Sequence, residues 1–397
     1  MAQNQLTDRI KEAAARLAEM QVGWRRHLHR HPELSFHETA TTAWLKERLS
    51  ELGLEILPIK LETGVAAELR GDQPGETVAI RSDIDALPIV EQTGLPFASE
   101  VDGCMHACGH DVHMATVLGA AAVLSGMRDH VPGTVRFIFQ PAEEKPPGGA
   151  RPMIENGALD GVSMIFGLHV EPHLNTGRIS LRDGATMGSV FDFELIIRGR
   201  SGHGARPHLA VDAIVTAAEV IDSLQKIITR ETDPVEPIAI TIGKIDGGTA
   251  SNVIAEEVRL EGTARSLSPK AFKKLPSLIK RTVAGVCKAR GATFELNPSA
   301  DYPVLTNHAS ANKILARTYS SLYGKKIEVT PPTLAAEDFS FYLERIPGAM
   351  FRLGIRNKKI GAGEPWHSPK FIVDEAAMPV GTALLAASAL DALGGIE

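Results

Sequence analysis

Thr77-Val-Ala-Ile-Arg-Ser-Asp-Ile-Asp85 runs from a short β-branched and apolar stretch into two carboxylates one residue apart. The stretch reads as a buried strand with acid at its carboxyl end. After it come an apolar helical run over Asp111–Gly126, a second buried strand over Gly133–Gln140 and a third over Ser163–Leu168, ending at His169. Upstream, helical spacing covers Leu6–Arg30 and Glu38–Leu52. Apolar strands alternating with helices predict an α/β fold, with a mixed, largely parallel sheet covered by helices. Such sheets bind ligands at the carboxyl ends of their strands, so polar residues just after the strands are the ones of interest.

Near Met187 the pattern changes. Strands are expected over Ser189–Gly199, Pro237–Ile245, Asn252–Arg265 and Ala292–Asn297, with helices over Val211–Thr229 and Pro269–Ala289. Two strand-helix-strand repeats make a compact α+β module with an antiparallel sheet. From Tyr302 the chain returns to helix and strand, including Ala349–Gly354 and a last helix over Glu375–Leu393. We therefore expect a catalytic domain built from residues 1–186 and 302–397, with residues 187–301 inserted as a second domain of about 115 residues, a usual domain size.

A chain of 397 residues with 44% hydrophobic and 23% charged residues has the composition of an ordinary globular protein. The net charge of −6 and the lack of a basic stripe argue against nucleic acid. No apolar run approaches the roughly 20 residues that cross a bilayer, and the N-terminus has no signal-peptide core. Three cysteines do not make a disulfide framework, so a cytoplasmic protein is expected.

The chemistry concentrates in His106-Ala-Cys-Gly-His-Asp-Val-His113. Thiolate and neutral imidazole are preferred donors for zinc-like ions, so Cys108 and His110 can seat a metal. Taken singly, the other candidates have plain structural readings. Glu143-Glu144 could be two solvated carboxylates, His169 a core histidine, and Trp366-His367-Ser368-Pro369 a turn. Together they supply one thiolate able to bridge, three imidazoles and a carboxylate, enough donors for two metals. His27, His29 and His31 do not make a comparable cluster, because only i+3 and i+4 neighbours meet on a helix.

The chain resembles the M20 metallopeptidase family, and within it the amidohydrolase branch of N-acyl-amino-acid, hippurate and indole-acetyl-amino-acid hydrolases. The motifs that carry the resemblance are Arg25–Ser35, Arg81–Pro88, His106–His113, Gln140-Pro-Ala-Glu-Glu144, Gly167-Leu-His169, Gly202–His208, Ser251-Asn-Val-Ile254, Ala336-Glu-Asp-Phe-Ser340 and Trp366-His-Ser368. Their order and spacing match from about Trp24 to the C-terminus.

The resemblance implies a metal-dependent hydrolase of C–N (amide) bonds, acting on N-acyl amino acids through a water activated by two divalent ions (Zn, Mn, Co or Ni). It implies that Cys108 bridges the metals, with Glu144 and His367 completing one site and His110 and His169 the other. Relatives outside the branch have a ligating His where Asp83 stands, so Asp83 is not expected to ligate. Asp85 would hold an imidazole in its ligating tautomer. Glu143 would be the general base. His203 and Asn252 would stabilise the oxyanion or bind substrate, and Arg265 and Arg352 are candidates for the substrate carboxylate. The inserted domain would serve as lid and dimerisation module, making a homo-oligomer (dimer or tetramer). A carboxypeptidase or dipeptidase on short peptides is the alternative, and a non-catalytic metal- or ligand-binding protein a more distant one.

Overall fold

The computed structural model describes residues 2–396. Internal contacts divide the chain into two units, one of residues 1–184, 306–330 and 341–397, the other of residues 185–305 and 331–340.

The larger unit is built on a seven-stranded sheet. Its four central strands, Pro132–Gln140, Gln73–Asp83, Val162–Asn175 and Gly348–Arg356, run parallel to one another. Val65–Arg70 and the short Glu55–Ile56 add antiparallel at one edge, and Ile179–Ser180 adds antiparallel at the other. Parallel strands need helical crossovers, and these leave both sheet faces covered.

The helices His110–Ser125 and Met378–Ala392 are buried on nearly every side, which explains their Ala- and Leu-rich sequences without a polar face. They meet the helix Ala18–Arg30 at Gly119. A Cβ there would lie 2.2 Å from Gln21 Nε2 and 2.6 Å from Thr382 Oγ1. Gln21 Nε2 donates to Thr382 Oγ1 at 2.6 Å, so the three helices close on one another only over a glycine.

The helix expected over Leu6–Arg30 forms as two, Ala2–Arg16 and Ala18–Arg30. Leu17 between them keeps both its i−4 and i+4 backbone bonds, so the helical hydrogen bonding runs on through the junction. The strand expected to stop at His169 continues to Asn175, carrying His169 inside the sheet. Among the described residues no helix is long and apolar enough to cross a membrane.

The smaller unit has a four-stranded antiparallel sheet in the order Ile238–Gly247, Glu257–Ser266, Ser189–Arg198, Thr293–Tyr302. The helices Ala213–Lys226 and Pro269–Arg290 pack on it through Val220, Leu224, Ile279, Val283 and Cys287, against Phe193, Leu195 and Ile197. Asp212 and Ser268 cap these helices by accepting backbone N–H bonds, as short polar side chains do at helix starts. The strand expected over Asn252–Arg265 is divided. Val253–Ile254 pairs with Gly202–His203, and only Glu257–Ser266 joins the main sheet.

Candidate metal centre

The carboxyl ends of the parallel strands deliver the chemistry of the larger unit. Gln73–Asp83 leads into Asp85, Pro132–Gln140 into Glu143 and Glu144, and Val162–Asn175 carries His169. Cys108 and His110 flank Gly109 at the start of a helix. Gly109 has φ +87°, and a Cβ there would lie 2.6 Å from Val170 Cγ2. Only glycine suits both the left-handed backbone and the close approach. The His367 N–H donates to the Ala107 carbonyl at 2.9 Å, tying the Trp366–His367 turn to the cysteine loop.

Two triads of ligand-type atoms share one residue: Cys108, His110 and His169 in the first, Cys108, Glu144 and His367 in the second, each with its atoms within 4.8 Å of one another. Cys108 Sγ lies 3.5 Å from His169 Nε2, and Glu144 Oε1 lies 3.8 Å from His110 Nε2 and 3.3 Å from His367 Nε2. His110 Nε2 and Glu144 Oε1 are buried and have no hydrogen-bond partner. Buried polar atoms are almost always paired, so such orphans mark a place for a further group. Soft thiolate, imidazole and carboxylate donors at this spacing fit two divalent cations.

Both buried imidazoles are oriented from their other nitrogen. His110 Nδ1 donates to the Asp85 carbonyl at 2.9 Å and lies 3.2 Å from Asp85 Oδ1; His169 Nδ1 donates to the Val170 carbonyl at 2.8 Å. In the neutral rings, the form that ligates, that bonding puts the proton on Nδ1 and the lone pair on Nε2. Asp85 Oδ2 also accepts from Ser35 Oγ at 2.7 Å and from the Glu144 N–H at 2.9 Å.

Asp83 lies beside the site, its Oδ2 3.7 Å from His110 Nε2, but both its oxygens are held by other side chains. Arg81 Nη1 donates to it at 2.7 Å and His113 Nδ1 at 2.6 Å. His113 Nε2 in turn accepts the Val170 N–H at 2.9 Å.

The electrostatics follow from burying acids and bases together. Burial, then the charges of Glu144 and Glu143, push the Cys108 thiol well above its ordinary pKa. Burial would lower His110, but Asp83, Asp85 and Glu144 raise it to about 10. Burial, then His113 and Arg352, hold His169 well below the usual imidazole range. Burial alone would raise Asp83, yet His110, His113 and Arg81 keep it well below the usual carboxylate range. Without cations, protons occupy the thiol and His110, the groups a metal would deprotonate.

Strain collects at the same place. Ala142, the residue before Glu143, has φ +52°, and His367 has φ +65°; non-glycine residues adopt such values only where surroundings enforce them.

Of the other residues the sequence singled out, Arg352 lies beside His169 in the strand register, its guanidinium 5.2 Å from the Trp366 ring centre. His203 and Asn252 are brought together in the smaller unit, where the Gly204 N–H donates to the Asn252 carbonyl at 2.8 Å and Val253 pairs with His203. In that unit Arg265 Nη1 donates to the Leu334 carbonyl at 3.1 Å. His29 is buried on Asp111 Oδ2 at 2.8 Å, and His27 stacks on Trp44. The supporting residues His113 and Ser35 gave no separate signal in the sequence, though both lie in quoted motifs; Glu38 lay outside any.

A model of the peptidase family M20/M25/M40 matches residues 79–391. The chain is 40% identical to the N-acetylcysteine deacetylase of Bacillus subtilis, over 95% of this chain and 97% of that one. It is 39% identical to thermostable carboxypeptidase 1 of Saccharolobus solfataricus, over 95% of this chain and 96% of that one. Among solved structures, the Bacillus subtilis YXEP protein, described as a dinuclear metal-binding peptidase of the M20 family, superposes with a TM-score of 0.84. It is 38% identical, with 96% of this chain and 100% of that one covered.

Proposed function

The chain belongs to the peptidase family M20/M25/M40, a hydrolase of amide bonds by that membership, and from this premise we propose that it removes the acyl group from N-acyl amino acids. The observation that carries the reading is the pair of ligand triads sharing Cys108, with the buried His110 Nε2 making no hydrogen bond between them. In it, Cys108 would be shared by two cations, with Glu144 and His367 holding one and His110 and His169 the other. Such ions, when bound, polarise the scissile carbonyl and lower the pKa of water.

The chain's own residues then divide the work. Glu143, buried beside His110 and Glu144, takes the proton of the attacking water and delivers it to the departing amine, giving a carboxylate and a free amino acid. Asp85 holds His110 by Nδ1 and keeps its Nε2 aimed inward. His203 and Asn252 are the proposed donors to the oxyanion, His203 reaching the site of a partner subunit, and Arg352 or Arg265 the fork for the substrate carboxylate. Residues 187–301 would act as lid and dimer contact. Zinc suits the thiolate best, with manganese, cobalt and nickel as competitors.

A second reading, carboxypeptidase action on short peptides, is favoured by the likeness to thermostable carboxypeptidase 1 and uses the same chemistry on a larger acyl group. A purely metal-binding protein is disfavoured, because it would have no use for Glu143 beside a ligand. Release of amino acid from acetyl, benzoyl and peptidyl substrates, with and without a chelator, tests all three. Chelator-sensitive cleavage of acetyl or benzoyl substrates is expected, cleavage of peptides alone would favour the second reading, and no cleavage by metal-loaded protein would overturn both. Metal analysis and sedimentation would identify the ion and the oligomer.

A further inference from the structure

The two backbone N–H groups that flank Glu143 are each held by a buried carboxylate. Glu144 N–H donates to Asp85 Oδ2 at 2.9 Å, and Ala142 N–H donates to Glu38 Oε1 at 2.8 Å. Glu38 is wholly buried, at the start of the helix Thr39–Glu51 and 104 residues from its partner. Ala142 itself sits at φ +52°, a left-handed conformation that costs an alanine energy and does not persist by itself.

The turn is also wedged from both sides at Pro141. A Cβ on Gly64 would lie 2.6 Å from Pro141 Cδ, and one on Gly149 would lie 1.9 Å from the Pro141 carbonyl oxygen. The Gly64 N–H donates to Thr42 Oγ1 at 2.8 Å, so the same helix that begins at Glu38 also fixes one wedge.

The segment that reaches the turn is itself strained. Phe36 has φ +68°, and this sharp bend separates Ser35, which donates to Asp85, from Glu38, which accepts from Ala142. One tetrapeptide, Ser35–Glu38, therefore bears on both ends of the Glu143 turn, through Asp85 at one end and directly at the other.

We propose that Glu38 is a positioning residue for Glu143, fixing through the Ala142 N–H the strained turn from which the general base acts. The inference rests on the reading of Glu143 as that base. Rotation of the Ala142 peptide would swing the Glu143 side chain, while the proposed ligand Glu144 keeps its own anchor, its N–H on Asp85 Oδ2. A displacement of about 1 Å at a catalytic group costs roughly 100-fold in rate.

The test compares Glu38→Gln, which keeps the accepting oxygen, with Glu38→Met, which keeps the volume and removes the acceptor, both as metal-loaded protein. On an N-acetyl amino acid, Glu38→Gln is expected within about threefold of wild-type kcat, the scale of one modest hydrogen bond. Glu38→Met is expected to lose roughly 10- to 100-fold in kcat, with KM nearly unchanged and full metal content. Wild-type kcat in folded Glu38→Met, loss of metal with activity, or a Glu38→Gln as impaired as Glu38→Met would each overturn the proposal. If Glu38→Met does not fold, Glu38→Gln decides: near-normal kcat supports it, and a drop of tenfold or more in folded, metal-replete protein overturns it. If the wild-type holoenzyme cleaves no substrate, the base assignment itself fails. Hydrogen exchange of the 141–144 segment then reads the clamp alone: exchange faster in Glu38→Met supports it, and unchanged exchange overturns it.

Discussion

His113 places its Nδ1 2.6 Å from Asp83 Oδ1, and neither side chain reaches solvent. Because His113 Nε2 accepts the Val170 N–H, the Asp83 contact fixes which ring nitrogen carries the proton. Val170 follows the proposed ligand His169, so this pair steadies a ligand it does not touch through a side chain. His113→Ala should weaken metal binding by roughly 10–100-fold, the usual cost of an outer partner. Competition with a chromophoric chelator would measure it, and an unchanged Kd would exclude the role.

Glu143→Gln keeps the shape of the side chain and removes its basicity. Metal content should stay at the wild-type level while kcat falls by roughly 10²–10⁴-fold. A Gln variant with near-normal turnover would end the assignment of Glu143.

Metal uptake should release protons. The Asp83, Asp85 and Glu144 carboxylates raise His110 to about 10, and burial with Glu144 and Glu143 keeps the Cys108 thiol protonated. Both must give up a proton to ligate, so near pH 7.5 about two protons should appear per chain loaded. Affinity should then rise with pH. Calorimetry in buffers of different ionisation heat counts the protons, and a buffer-independent heat would contradict the expectation.

Glu38 should leave a signature in stability. Burial, then the Asp85 charge, push its carboxyl up from 4.5 to about 7. A raised folded value means that its contribution is full below the unfolded pKa and is lost as pH climbs through the folded one. The total is on the order of 3 kcal/mol. Glu38→Gln has no such titration, so its Tm relative to wild type should increase between pH 5 and pH 8. Parallel thermal scans would show it, and a constant difference would argue against an ionisable Glu38 in the folded chain.

Removing the glycine wedge should be more damaging than its size suggests. Gly149→Ala would place a methyl 1.9 Å from the Pro141 carbonyl oxygen, which is backbone and cannot rotate away. The turn must shift, so both stability and kcat should fall, by contrast with Gly243→Ala, whose added methyl meets nothing within 4 Å on a backbone that is not left-handed. Equal melting temperatures for the two variants would refute the wedge.

The sequence disclosed those parts of the site that obey local rules. Asp85, Glu143 and Glu144 stand just beyond apolar strands, and Cys108 and His110 open a helix, so pattern and position coincide. Glu38, Ser35 and His113 act through partners 104, 50 and 30 residues away, and no local periodicity records such hydrogen bonds. The ends of strands were legible only approximately for the same reason. His169 lies inside a strand because Gly348–Arg356 goes on pairing beyond the Arg352–His169 register as far as Arg356 and Asn175, and Val253–Ile254 leaves the main sheet for Gly202–His203.

His367 is 52% exposed, whereas Cys108, His110 and His169 are buried. The two proposed ions would then differ in lifetime rather than in kind. An ion held through His367 would be open to exchange with solvent, while one held by His110 and His169 would be enclosed by the interior. Stepwise removal of metal would then empty the His367 seat first, leaving the deeper one on His110 and His169 filled.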